Sequence, residues 1–189
     1  MLTIKRLTID DISLLKPISS ASLVGEDVLL RIGRGGFALG YVPLPRAEWR
    51  DFPPAAEAVP HAVLTDERSA LFAAFEDGLL VGIASLRVHP ATRWAEVTDL
   101  RVEAAHRRQG VGRNLLDFCE RLALKRGMHG LRLACTDTNP ALCQFCEHCG
   151  FTLAGVDSKA LAYTDSERDK PLSRRAALLT FYKTIQSRP

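Results

Sequence analysis

The chain has 189 residues, of which 47% are hydrophobic and 25% charged, with a formal net charge of +3. That is ordinary globular composition for one domain spanning residues 1–189, and it argues against disorder throughout. A charge of +3 is too small to point to nucleic acid, and no apolar run approaches the roughly 18–20 residues of a membrane span. No basic region precedes an apolar run at the N-terminus, so a cytoplasmic protein is expected. Five cysteines, Cys119, Cys135, Cys143, Cys146 and Cys149, form an odd set in a chain too large for a small disulfide scaffold, so reduced thiols are expected.

A proline-rich stretch, Pro43 to Pro60, reads as a long surface connection, and the part before it is too short to bury a core alone. Beyond it, Ala70–Glu76 and Leu79–Val88 are apolar runs joined by Asp77-Gly78, a dipeptide that favours a tight hairpin. Arg93–Val102 reads as a third strand, so these three form a meander. From Val111 to Lys125 the period changes. Val111, Leu115, Leu116, Cys119, Leu122 and Ala123 are spaced by threes and fours and share one helix face. Gly127 is the expected cap. Gly130–Cys135 alternates as a strand. Asn139-Pro140 starts a helix, with Asn as N-cap and Pro at the first position, and Gly150 ends it. Phe151–Ala154 begins another strand, and Ala176–Ile185 reads as the last. A strand–helix–strand unit among antiparallel strands predicts an α+β (mixed α/β) fold with one parallel pairing.

The strongest chemical signal is Arg107-Arg108-Gln109-Gly110-Val111-Gly112-Arg113, between a strand and an amphipathic helix. Glycines let the backbone approach a ligand, and a helix N-terminus offers unpaired N–H groups and partial positive charge. Arg101, Arg107, Arg108 and Arg113 suit a local anion such as a phosphate. The ATP-type and dinucleotide fingerprints are both absent.

The pattern [QR]-x-x-G-x-[GA], after a strand ending Leu100-Arg101-Val102, resembles the acetyl-CoA site of GNAT N-acetyltransferases. Asp137-Thr138-Asn139, Cys143, Phe145, Gly150-Phe151, Gly155 with Asp157, and the final Phe181-Tyr182 are similar to the streptothricin acetyltransferase group. A weaker likeness covers Gly36–Leu39 and Trp49-Arg50. The resemblance implies a twisted, mostly antiparallel sheet with helices on both faces. It implies acetyl-CoA held by residues 107–113 with Leu100, Arg101, Val102, Asn139 and Phe145, and direct acetyl transfer to a primary amine of a small or antibiotic-like acceptor. No metal, nucleic acid or membrane partner is expected. The sequence does not fix oligomeric state, although homodimers are common in the family.

An alkyl ammonium must lose a proton before it attacks, so a base is required. Asp99 and Glu96 are the candidates. Strict alternation puts Asp99 with Arg101 on one face and Glu96, Thr98, Leu100 and Val102 on the other; Asp99 is preferred. Family members commonly protonate the leaving thiolate from the tyrosine of a Phe-Tyr pair. Here the pair is Phe145-Cys146, so three readings stay open: Cys146 donates, Tyr163 reaches in, or no acid acts. By resemblance, the streptothricin enzymes carry acids where this chain has Thr98, Ala134 and Arg175, which implies a less cationic acceptor.

Two rival readings are a CoA-binding module without catalysis and a metal or iron–sulfur site at Cys143, Cys146 and Cys149. The second lacks a further C-x-x-C pair and places its thiols on a helix. The five histidines show no i, i+4 ligand pair and read as surface residues, and Trp49 and Trp94 read as packing residues.

Overall fold

A computed structural model describes residues 1–53, 60–161 and 176–185. They fall into two compact units. One is built from the described parts of Met1–Ala21, Asp51–Arg132 and Thr184–Pro189, the other from those of Ser22–Arg50 and Leu133–Lys183.

The first unit centres on an antiparallel sheet of β1 (Leu2–Leu7), β4 (Ser69–Glu76), β5 (Leu79–His89) and β6 (Trp94–Val102), in that order. The β4–β5 turn is the expected Asp77-Gly78, with φ of 48° and 80°. Every residue from Ser69 to Ala74 is buried, because this strand is covered on both faces. On one face Phe72 meets Phe118 of α2 (Val111–Lys125), ring centroids 5.9 Å apart. On the other, Leu71 and Ala73 join Leu7, Ile18, Ile83 and Val63 of α1 (Pro60–Thr65) in a core cluster.

Helix α2 occupies the predicted residues and buries Val111, Leu115, Leu116, Cys119 and Ala123. It stops at Gly127, φ 74°. There Gly127 N–H donates to Leu124 O and Met128 N–H to Ala123 O, each at 3.0 Å, the paired bonds that close a left-handed helix end.

The chain then enters β7 (Gly130–Thr136), whose first residues belong to this unit. His129 N–H donates to Arg93 O at 2.9 Å, and the Arg132 guanidinium meets Glu96 Oε1 at 2.6 Å. Both contacts have the same sequence separation, as a parallel pairing with β6 requires. The fold is thus α+β, with a mostly antiparallel set of strands and one parallel pairing.

The second unit carries the rest of β7, then β9 (Leu178–Thr184) and β8 (Thr152–Asp157), with β9 between the other two. It also holds α3 (Pro140–His148). Asn139 caps this helix by accepting from Leu142 N–H at 3.1 Å, and Gly150, φ 81°, ends it.

A separate two-stranded sheet pairs β2 (Ala21–Gly33) with β3 (Gly36–Asp51). The stretch from Pro43 to Pro60 is therefore not one long connection. Pro43 and Pro45 lie inside β3. A strand with a single neighbour turns half its N–H groups outward, where the donor that proline lacks costs no ladder bond. Pro60 opens α1. The ribbon is tied within its unit by Tyr41 O–H to Glu147 at 2.6 Å, Gln144 to Glu26 at 2.5 Å, and Arg50 to Thr138 O at 3.0 Å.

Candidate active site

The loop before α2 is shaped by two left-handed residues, Arg108 at φ 62° and Gly110 at φ 83°. Gly110 is the N-cap and supplies no side chain to the helix end. A Cβ built on it would meet nothing within 4 Å. The first N–H groups of a helix have no helical acceptors and sit at its positive end, so this terminus opens onto free space with its donors in place. That donor set fits a pyrophosphate.

The arginines of the loop divide their work. Arg107 turns inward, donating to Val102 O at 2.9 Å and Ala21 O at 3.3 Å, and so braces the loop. Gln109 does the same through Ala105 O at 2.8 Å. Arg108, Gly110 and Arg113 are exposed, and Val111 is buried.

Gly82 on β5 sets how closely α2 approaches the sheet. A Cβ there would lie 3.0 Å from Leu115 Cδ1, 3.1 Å from Val111 Cγ1 and 3.1 Å from Arg101 O. The sequence does carry a signal here, since an isolated glycine inside a strand marks close approach.

The face assignment of the two candidate bases needs correction. Ser85 pairs with Asp99 while Leu86 pairs with Val97, so Thr98 is an extra residue in a β-bulge. An extra residue resets the alternation, and Asp99 and Glu96 lie on the same face, with Ser85, Arg87 and His89 of β5. Ser85 and Thr98 hydroxyls meet across the bulge at 2.7 Å.

Both acids are engaged. Asp99 accepts from Arg101 at both oxygens, at 2.7–3.1 Å, and Arg101 also donates to Ile18 O at 3.1 Å. Burial pushes the Asp99 carboxyl up, and Arg101 beside it offsets part of that rise. Glu96 accepts from Arg132 at 2.6 Å and faces His89 Nε2 at 3.1 Å.

In the second unit, Cys146 is 0% exposed. Burial, with smaller effects from Cys143, Cys149 and Glu147, pushes its thiol far up. Cys143 is equally buried, and its Sγ lies 3.6 Å from that of Cys135. These thiols fill a core rather than line a surface. Among the described residues, no group of three or more His, Cys, Asp or Glu side chains is placed to hold a metal ion. Asn139 spends its Oδ1 on capping α3, and Phe145 is half-buried. Tyr163 and Arg175 lie outside the described residues. Trp94 packs edge-on against His129, centroids 4.5 Å apart, as a packing residue should. Trp49 does not, being 74% exposed on β3.

Residues 41–151 match the model of the acetyltransferase (GNAT) family. The chain belongs to the GNAT family. This GNAT protein is 36% identical over 96 residues to a streptothricin acetyltransferase of Escherichia coli, covering 49% of this chain and 53% of that one. It thus spans about half the length of that relative. It is 30% identical over 140 residues to a streptothricin acetyltransferase of Streptomyces lavendulae, covering 72% and 74% of the two chains. Its fold matches a solved streptothricin acetyltransferase from Bacillus anthracis str. Ames, in complex with acetyl coenzyme A. The TM-score is 0.84 at 20% identity, over 98% of this chain and 100% of that one. At that identity the likeness is one of fold.

Proposed function

We propose that the protein is an acetyl-CoA-dependent N-acetyltransferase acting on a primary amine of a small, antibiotic-like acceptor. The observation that carries this reading is the open N-terminus of α2, where a left-handed Gly110 caps the helix without a side chain and Arg108 stands exposed beside it.

The backbone N–H groups of residues 110–113 would hold the pyrophosphate of CoA, with Arg108 and Arg113 adding full charge. Backbone donors near Leu100–Val102 would face the acyl oxygen, and one such donor is typically worth about 10²–10³ in rate. Bound acetyl-CoA supplies an acyl carbon activated for attack by an amine. This chain's part is to hold it, to place the acceptor and to take the acceptor's proton.

The leaving thiolate is a separate matter. A thiol as enclosed as Cys146 is a packing group, in keeping with the usual role of buried cysteine. The Cys146→Ala variant should therefore keep kcat within a few-fold, since acid catalysis usually contributes about 10²–10⁴. A fall of about 100-fold in a protein with an unchanged unfolding temperature would assign the acid role to Cys146 after all.

The acceptor is of the antibiotic-like class that the relatives' names indicate, with fewer positive charges than a polyamine. What supports the lower charge is the state of the acids on the β6 face. Asp99 and Glu96 each already hold a guanidinium, so neither is free to bind a second cation. The test compares kcat/KM for streptothricin with that for singly charged primary amines. Preference for the latter is expected; strong, selective acetylation of streptothricin would overturn it.

A further inference from the structure

We propose that Arg101 and Arg107 are positioning residues that clamp residues 18–21 as a wall beside the acyl group, so that an amine rather than water reaches the thioester. The assignment rests on the acetyltransferase reading above. Residues 15–20 join the short 3-10 helix Ile9–Leu14 to β2 and belong to neither helix nor strand. Backbone of that kind has no ladder to satisfy its carbonyls, so each needs another partner or water.

Two arginines supply such partners. Arg101 Nη1 donates to Ile18 O at 3.1 Å, and Arg107 Nη2 donates to Ala21 O at 3.3 Å. Each guanidinium is itself fixed. Asp99 accepts from Arg101 at both carboxylate oxygens, and Arg107 Nε donates to Val102 O at 2.9 Å. A guanidinium is a rigid fork, so holding one edge aims the donors of the other. The segment is also tied between its ends. Ser19 Oγ accepts from Ala21 N–H at 3.2 Å, and Ser20 Oγ donates to Asp51 Oδ1. Ile18 is 4% exposed and packs in the core cluster with Leu7, Val63 and Ile83.

The two anchors of the clamp belong to the two parts of the site. Arg101 lies within Leu100–Val102, whose backbone donors face the acyl oxygen, and Arg107 opens the pyrophosphate loop. A segment pinned to both runs alongside the arm of CoA that joins thioester to pyrophosphate. The Arg101 side chain is only 18% exposed and spends its Nε, Nη1 and Nη2 on Asp99 and Ile18. It therefore acts through the segment it holds, not as a charge on the cofactor, and Asp99 is the anchor of that arginine.

What the wall decides is which nucleophile meets the acyl carbon. With an amine, a C–N bond forms, the C–S bond breaks, and the products are the amide and the CoA thiol. With water, a C–O bond forms, the same C–S bond breaks, and the products are acetate, a proton and the CoA thiol. A fixed wall that excludes water favours the first course.

The experiment compares the wild-type protein with Arg101→Met and with Asp99→Asn/Arg101→Gln. The double variant leaves no buried carboxylate without its partner, and glutamine is too short to hold Ile18 O. Acetate and acetylated amine are measured with acetyl-CoA and a singly charged primary amine, alongside the Kd for acetyl-CoA and hydrogen exchange across residues 15–21. Both variants should release several-fold more acetate per acetylated amine, exchange faster across residues 15–21, and bind acetyl-CoA as the wild type does. A purely structural role would lower both products together and leave their ratio unchanged. In the wild type itself, residues 18–21 should exchange more slowly than the exposed turn at Arg34-Gly35. Equal exchange there, an unchanged product ratio in the variants, or lost acetyl-CoA affinity with unaltered exchange across residues 15–21 would overturn the clamp. A wild-type protein that binds acetyl-CoA but acetylates no amine would instead overturn the acetyltransferase reading itself and this assignment with it.

Discussion

The Arg108→Ala/Gly110→Ala double variant should unfold at the same temperature with and without acetyl-CoA, whereas the wild-type protein should be stabilised. A ligand that binds only the folded state at about 100 times its Kd adds about 2.7 kcal/mol. The expected loss has two parts. Gly110 sits at φ 83°, where a side chain costs roughly 1–2 kcal/mol, and its Cβ would stand in the space the helix terminus opens onto. Arg108 is an exposed full charge at the positive end of the helix, and alanine removes it. Arg108 is itself left-handed at φ 62°, so Arg108→Gly serves as the control. It should relieve backbone strain and raise the unliganded unfolding temperature, while still weakening acetyl-CoA. Thermal unfolding of the three proteins at matched acetyl-CoA concentrations reads both effects. An undiminished ligand shift in the double variant would remove the loop from the cofactor site.

Gly82→Val should cost about 1–3 kcal/mol of stability through overpacking, and should weaken acetyl-CoA although the residue lies beneath the helix rather than on the loop. The first added carbon would already stand 3.0–3.1 Å from Leu115, Val111 and the carbonyl of Arg101. Val111 opens α2, so displacing it lifts the first turn, and that turn carries the donors of residues 110–113. The carbonyl belongs to β6 and has little freedom. Chemical denaturation measures the stability loss, and titration with acetyl-CoA measures the weakening. A destabilised variant that binds acetyl-CoA as the wild type does would mean that α2 and its loop tolerate the displacement.

The parts of the fold that could be read from the chain are those specified by short local patterns. The β4–β5 hairpin rests on Asp77-Gly78, and α2 on six apolar residues at helical spacing with Gly127 beyond. Helix α3 rests on Asn139-Pro140 at one end and Gly150 at the other. The second and third strands carry no such contrast. In β2 and β3 nearly every residue is exposed or half-buried, so no apolar face alternates with a polar one, and Pro43 and Pro45 read as breaks in a chain that is in fact extended. Helix α1 is a single short turn-and-a-half that buries Val63 alone, too little to leave a periodic signal.

The candidate site divides the same way. The phosphate loop is local, and its glycines and arginines stand together in the sequence. The candidate acid–base residues depend on register. One extra residue at Thr98 moves Asp99 onto the face of Glu96, and strict alternation cannot foresee that. His89 meets Glu96 only because β5 and β6 pair with His89 opposite Trp94, so a histidine that looks like a surface residue in sequence acquires a carboxylate partner in the fold. The place of Cys146 is not legible in the sequence for a further reason. Whether a helix residue lines a site or fills a core depends on what packs against it, and here Cys146 is buried with Cys143 and Cys149 near it.

The central claim is acetyl transfer to an amine, and the most direct measurement is release of the CoA thiol from acetyl-CoA by the purified protein, with the acceptor's mass read in the same reaction. The amines offered would include streptothricin and singly charged primary amines. The account predicts thiol release that depends on the acceptor, an acceptor heavier by one acetyl group, and loss of both in Arg108→Ala/Gly110→Ala. Tight acetyl-CoA binding with no acceptor-dependent thiol release from any amine would contradict it, and would leave a GNAT fold that holds the cofactor without turning it over.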